Sequence, residues 1–275
     1  MTTLVRTKRH GAVLEIRLDS PATRNSLTTE MREQLGEAVE LAEQDRSVRA
    51  VYLTGEGPTF CSGGDLKLLK TASDPWPVHR RFRNLSRWLT PLITLDKPVV
   101  VGVRGAAVGG GMGLALTGDL MIAGESARLI SGFFRLGVVP DIGTMYHLPR
   151  LIGMARAKNF LFGNATMSAQ DALSLGIAAM VVSDEEVDAT GIAEATRLSE
   201  GPAEVMGLAK TLMARSFETS LADMFAFEGF GQVLAMSSPE FKEGLDAALN
   251  GRRADFPGAA AANNVPAPDG DRAKS

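Results

Sequence analysis

The chain has 275 residues, 45% of them hydrophobic, enough to bury a core as one large domain or two small ones. With 29 basic and 32 acidic side chains the formal net charge is −3, and the densest basic spot near the end is only Gly251-Arg252-Arg253, which argues against nucleic acid or an anionic membrane as partner. Cys61 is the single cysteine, so an intrachain disulfide is excluded and a reducing, cytoplasmic setting fits. No secretory signal is read at the N-terminus, and the most apolar stretch, 98–118, contains Arg104 and much glycine, as a strand, turn and buried helix would.

In chain order, 12–18 (AVLEIRL) alternates apolar and polar residues as a half-buried strand does, and 20–27 (SPATRNSL) supplies turn residues. Thr28 or Thr29 caps a predicted helix whose Met31, Leu35, Ala38, Val39 and Ala42 share one face. A strand follows at 48–55, then a helix over 78–95 through Val78, Phe82, Leu85, Leu89 and Leu92, and a strand opened by Pro98. Beyond the glycine run come a short strand at 119–124 and a glycine-punctuated loop and strand at 130–143. Ser168 and Asp171 form a capping pattern for a helix that stops at Gly176, and 178–182 is a further strand. Helical periodicity then takes over at 186–199, 202–216, 220–236 and 239–249, with Pro202 and Pro239 in first turns and Asn250-Gly251 as a stop. The pattern predicts a mixed α/β domain over 1–198, a helical region over 199–256 and a disordered tail over 257–275.

Two glycine-rich stretches carry the chemistry. The segment 104–119 (RGAAVGGGMGLALTGD) lacks the lysine and hydroxyl of a Walker loop and has Leu114 where G-x-G-x-x-G needs its last glycine. Its glycines suit either close helix packing or the approach of a substrate to free N–H groups at a helix start. A second such stretch lies upstream at 55–70 (GEGPTFCSGGDLKLLK). With SPATRNSLT, FCSGGDLK, KPVVVGVRGAAVGGGMGLAL, GDLMIAG, LGVVPDIGTMYHLPRLIG, SAQDALSLGIAAMVV and GRRADFPG in order, the chain resembles the crotonase superfamily, the enoyl-CoA hydratase/isomerase family.

The resemblance implies a spiral of ββα turns over 1–198 that binds acyl-CoA, and a helical trimerisation region, giving a homotrimer or a dimer of trimers. It implies that the backbone N–H groups of Gly64 and Gly110 hold a thioester oxygen, and that the edge from Gly64 through Asp65 and Leu66 to Lys67 receives coenzyme A, with Lys67 and Arg24 near its phosphates. Coenzyme A enters as part of the substrate, with no separate cofactor. The sequence departs from the family's hydratases at both of their glutamate positions, which are Gly113 and Phe133 here. Asp141, in VVPDIG, matches a position at which some isomerases, hydrolases and dehalogenases of the superfamily carry a catalytic aspartate. Val138, Val139, Ile142 and Phe133 are expected to give it an apolar, pKa-raising setting. The alternative role for Asp141 is a turn residue that accepts backbone hydrogen bonds.

The leading reading is an isomerase in which Asp141 moves a proton along an enoyl-CoA. A hydratase of low efficiency and a non-catalytic acyl-CoA-binding protein are the alternatives. Cys61 is expected to be a packed side chain, His147 a packing or helix-surface residue, and Asp65 and Asp119 backbone-fixing residues. Trp76, Phe82 and Phe133 are candidates for the acyl pocket, to which 70–90 contributes. His10, His79 and His147 have no metal-ligand spacing.

Overall fold

The computed structural model describes residues 2–66, 76, 79 and 83–262. They divide into two compact units, one ending at Ser199 and one beginning at Glu200.

In the first unit, β1 (Val5–His10) and β2 (Val13–Leu18) form an antiparallel hairpin, and α1 (Thr29–Gln44) crosses to β3 (Ala50–Gly55), parallel to β2. The short helix α2 (Leu89–Ile93) precedes β4 (Val99–Val103). Then β5 (Ala106–Val108), α3 (Gly110–Ala115), β6 (Leu120–Gly124) and β7 (Arg128–Ile130) follow, and α4 (Thr144–Ile152) and α5 (Met154–Phe162) lead to β8 (Thr166–Ser168). Helix α6 (Ala169–Ser174), β9 (Met180–Val182) and α7 (Val187–Ser199) complete the unit. The main sheet runs β1-β2-β3-β4-β6-β9, parallel from β2 onward, and β5-β7-β8 form a smaller sheet beside it.

Period-two alternation sorts the main sheet's side chains into two layers. Leu14, Ile16, Leu18, Val51, Leu53, Val99 and Val101 join the cluster that contains the buried face of α1. Val13, Ala50, Tyr52, Val100 and Ile122 cluster instead with Ala195 of α7. The α1 residues Met31, Leu35, Ala38, Val39 and Ala42 are all buried, and the Thr28 hydroxyl accepts the Met31 N–H at 3.1 Å. At α6, Ser168 and Asp171 close a reciprocal capping box.

Several expectations change. Strand β1 is charged and exposed along most of its length, so it shows no alternation to read. Only Ile130 of 130–143 is strand, and α4 and α5 occupy a stretch whose helical character the reading missed. Pro149 lies inside α4, where a helix loses an N–H donor, which masks the helix in sequence. Val78 and Phe82 lie outside the described residues, while Leu89 and Leu92 are in α2 and buried.

The second unit holds α8 (Ala203–Ala214), α9 (Leu221–Ser237), α10 (Pro239–Leu249) and α11 (Phe256–Ala262). Residues 257–262, expected to begin a disordered tail, are helical in α11. No helix among the described residues is long and apolar enough to cross a membrane.

Candidate active site

The loop after β3 is stitched to the start of the second glycine segment. Cys61 pairs with Ala107 and Thr59 with Gly105, the Val108 N–H donates to the Cys61 carbonyl at 2.9 Å, and Leu27 pairs with Gly64. Gly63 has φ +84°, and a Cβ there would lie 2.4 Å from the Val108 carbonyl oxygen and 3.2 Å from the Gly110 nitrogen. Only glycine fits, and this close crossing brings the two glycine-rich stretches side by side. A Cβ on Gly64 would meet nothing within 4 Å, so this exposed glycine presents bare backbone to open space. Gly110 is the first residue of α3, with Gly109 as its N-cap, so its N–H has no acceptor within the helix.

Asp141 reaches the same place from the loop before α4. Its Oδ1 lies 3.4 Å from where a Gly110 Cβ would stand, with Ile142 Cγ1 at 3.1 Å and Leu27 Cδ1 at 3.7 Å from that point. The Thr144 N–H donates to the Asp141 carbonyl at 3.0 Å, closing a turn whose central residues, Ile142 (φ +49°) and Gly143 (φ +73°), are both left-handed. For a β-branched residue that conformation is an outlier, costing roughly 1–3 kcal/mol. Ile142 and Phe133 are each only 5% exposed, and the Phe133 ring approaches within 3.6 Å of a Cβ built on Gly109. Val138 and Val139 are 38% and 66% exposed, so the apolar enclosure expected from them is absent, while Ile142 beside Asp141 is buried.

Position 113 is closed. A Cβ there would be 2.5 Å from the Ile142 carbonyl oxygen and 2.8 Å from Thr144 Oγ1. Thr144 is fully buried and its hydroxyl has no hydrogen-bond partner. The glycine is thus required by the close seating of the 141–144 turn on α3. Ile142 was read from sequence only as an apolar neighbour of Asp141 and Thr144 was not singled out, because their importance arises from a contact between segments about thirty residues apart.

Arg24 is exposed in a left-handed turn tied to the first glycine stretch, its carbonyl accepting the Ser62 N–H at 2.9 Å. Buried Asn25, another residue the sequence reading missed, donates its side-chain amide to the carbonyls of Glu56, Thr59 and Phe60 and so pins the turn to that loop. Asp65 is half-buried and Leu66 exposed on the edge beyond Gly64, while Lys67 lies outside the described residues. Asp119 fixes backbone as expected, its carboxylate accepting the Val99 N–H at 2.8 Å. Cys61 is fully buried, and burial pushes its thiol up to about 12, which removes it as a nucleophile.

His147 packs over Gly143. Burial, aided by the Arg150 charge, lowers its pKa, and its buried Nε2 has no partner. His10 meets Glu15 at 2.6 Å and His79 sits edge-on to the exposed Trp76. Among the described residues, no group of three or more His, Cys, Asp or Glu side chains is arranged to hold a metal ion.

The chain is similar to known proteins over nearly its whole length. The family model described as enoyl-CoA hydratase/isomerase matches residues 8–259. A 1,2-epoxyphenylacetyl-CoA isomerase of Escherichia coli is 34% identical over 250 residues, covering 90% of this chain and 95% of that protein. A 4-chlorobenzoyl coenzyme A dehalogenase of an Arthrobacter species is 28% identical, covering 85% of this chain and 86% of that one. Among solved structures, an enoyl-CoA hydratase from Geobacillus kaustophilus matches with a TM-score of 0.87 at 32% identity, covering 92% of this chain and 98% of that one. The match extends over nearly the whole length. The chain belongs to the enoyl-CoA hydratase/isomerase family.

Proposed function

We propose that the protein is an acyl-CoA isomerase in which Asp141 is the single acid/base group. The observation that carries this reading is the placement of the Asp141 carboxylate against Gly110 at the start of α3. In the proposed step, Asp141 takes a proton from a carbon of the enoyl chain, and the C–H electron pair passes through the conjugated system onto the thioester oxygen. The N–H groups of Gly64 and Gly110 hold that developing negative charge, each such donor being worth about 3–4 kcal/mol in comparable sites. Collapse of the enolate takes the proton back from the Asp141 carboxyl at the far end of the allylic system. The double bond moves, and no atom is gained or lost.

The closure of position 113 favours this over hydration. A hydratase needs carboxylates to activate and deliver water, each worth 10²- to 10⁴-fold, and here one position is filled by the 141–144 turn and the other is the buried Phe133. The kinship to proteins named as a CoA-ester isomerase and a dehalogenase fits a family member with chemistry other than hydration. On this reading coenzyme A lies along Gly64, Asp65 and Leu66, with Arg24 and Lys67 offering charge to its phosphates. Helix α9 has no buried residue and exposes Leu221, Phe225, Phe230, Val233 and Leu234, which supports a homotrimer or a dimer of trimers.

The test is solvent exchange. Incubated with 3-hexenoyl-CoA in deuterated water, the wild type is expected to incorporate deuterium and shift the double bond, and Asp141→Asn to lose at least about 10²-fold in rate. An Asp141→Asn protein as active as the wild type would sink the mechanism, and a hydroxylated product would move the assignment to hydration.

A further inference from the structure

We infer that Ile142 is a positioning residue, whose side chain, held in a turn that disfavours it, sets the direction of the Asp141 carboxylate. The inference rests on the reading of Asp141 as acid/base. Residues Asp141 to Thr144 form a four-residue turn closed by the 3.0 Å bond from the Thr144 N–H to the Asp141 carbonyl, with positive φ at both central positions. A type I′ turn has that pattern, and its first central position is normally Asn, Asp or Gly. The described residues include three other non-glycine positions with positive φ, which are Arg24, Asn25 and Asn164. Ile142 alone among these four is β-branched, the side-chain class least suited to the conformation. Local sequence and local structure disagree here, a conflict that marks functional sites.

What holds the turn is packing on α3. The Ile142 Cγ1 covers Gly110, its carbonyl covers Gly113, and the side chain is buried. Gly113 is therefore required by this residue, and Gly110 lies against its side chain. The Asp141 carboxylate and that side chain both lie against the same point on Gly110, so loss of the apolar contact alters the wall against which the carboxylate is set, while the bond from the Thr144 N–H to the Asp141 carbonyl still closes the turn. Asparagine would satisfy the turn alone; the isoleucine side chain also packs on Gly110.

Ile142→Asn separates these roles, because asparagine suits the turn and lacks the apolar contact. The expected result is a folded protein, somewhat less stable than the wild type because relief of the backbone strain only partly offsets the lost apolar burial, with hexanoyl-CoA affinity within about threefold. Its maximal rate of deuterium exchange into 3-hexenoyl-CoA should fall 10- to 100-fold at little-changed KM, the scale expected when a reacting group is misplaced by about 1 Å. Ile142→Val, which restores most of the contact, should recover the rate to within a few-fold. If Ile142→Asn does not fold, Ile142→Ala is judged by the same split. Wild-type exchange in the folded variant, or a loss of rate matched by an equal loss of affinity, would overturn the inference. Asp141→Asn runs in parallel: if it is fully active the acid/base reading fails, whereas an inactive Asp141→Asn beside a fully active Ile142→Asn refutes the positioning role alone.

Discussion

At Gly113 a missing side chain has a physical cause that its absence alone does not reveal. Gly113→Glu adds atoms where the Ile142 carbonyl already lies 2.5 Å from a Cβ, so the variant should lose about 1–3 kcal/mol of stability and gain no hydration of crotonyl-CoA. Thermal melts and an assay for 3-hydroxyacyl-CoA check both halves, and a stable variant that hydrates crotonyl-CoA would show that the turn yields to a glutamate. Gly64, Gly110 and Asp141 could be proposed from the sequence because each sits inside a motif of contiguous residues. The turn role of Ile142, and Thr144 and Asn25 altogether, could not, since their importance comes from close contacts between distant segments. The same limit explains Val138 and Val139, whose apolar character predicts burial although the loop turns both toward solvent.

At the scale of elements, the α7 face of the main sheet is tied by polar groups. Tyr52 fills space made by Gly102 of β4 and Gly191 of α7, and its hydroxyl donates to Asp188 at 2.7 Å. Arg17 and Arg104 also pair with Asp188. Burial works to raise the Asp188 pKa, but the bonds from Arg104 and Tyr52 and the charge of Arg17 prevail and hold it below the usual carboxylate range. Asp188→Asn leaves two half-buried guanidinium groups short of a counter-charge and should cost about 2–3 kcal/mol, less than the roughly 3–5 kcal/mol of a fully buried pair because Asp188 keeps some exposure. Because the folded pKa is depressed, this stabilisation is complete above about pH 4 and declines as pH falls through the lower folded value. Urea titrations of both proteins at pH 7 and pH 3 should therefore show a gap that narrows in acid, and a gap of equal size at both would contradict the account. Helix α1 and the interior strands were legible because periodicity reports a buried face. Strand β1 and helix α4 escaped because one has few buried residues and the other carries an internal proline.

At the scale of the whole molecule, α9 carries the clearest prediction. Phe230, Val233 and Leu234 share a helix face at spacings of three and four and are each more than 60% exposed. Phe230→Asp combined with Val233→Asp should convert the proposed trimer to monomers in analytical ultracentrifugation, and an unchanged mass would remove that face from the subunit interface. The amino-acid sequence by itself determined the family and the α/β character followed by helices, and it pointed to Gly64, Gly110 and Asp141 as the proposed site, because recurring motifs and periodic burial are local properties of a chain. The tertiary structure alone decided that Gly113 is closed, that Ile142 adopts a left-handed turn, and that Asp141 meets Gly110. Those facts depend on how a turn near residue 142 seats on a helix about thirty residues earlier, and no local pattern records that distance.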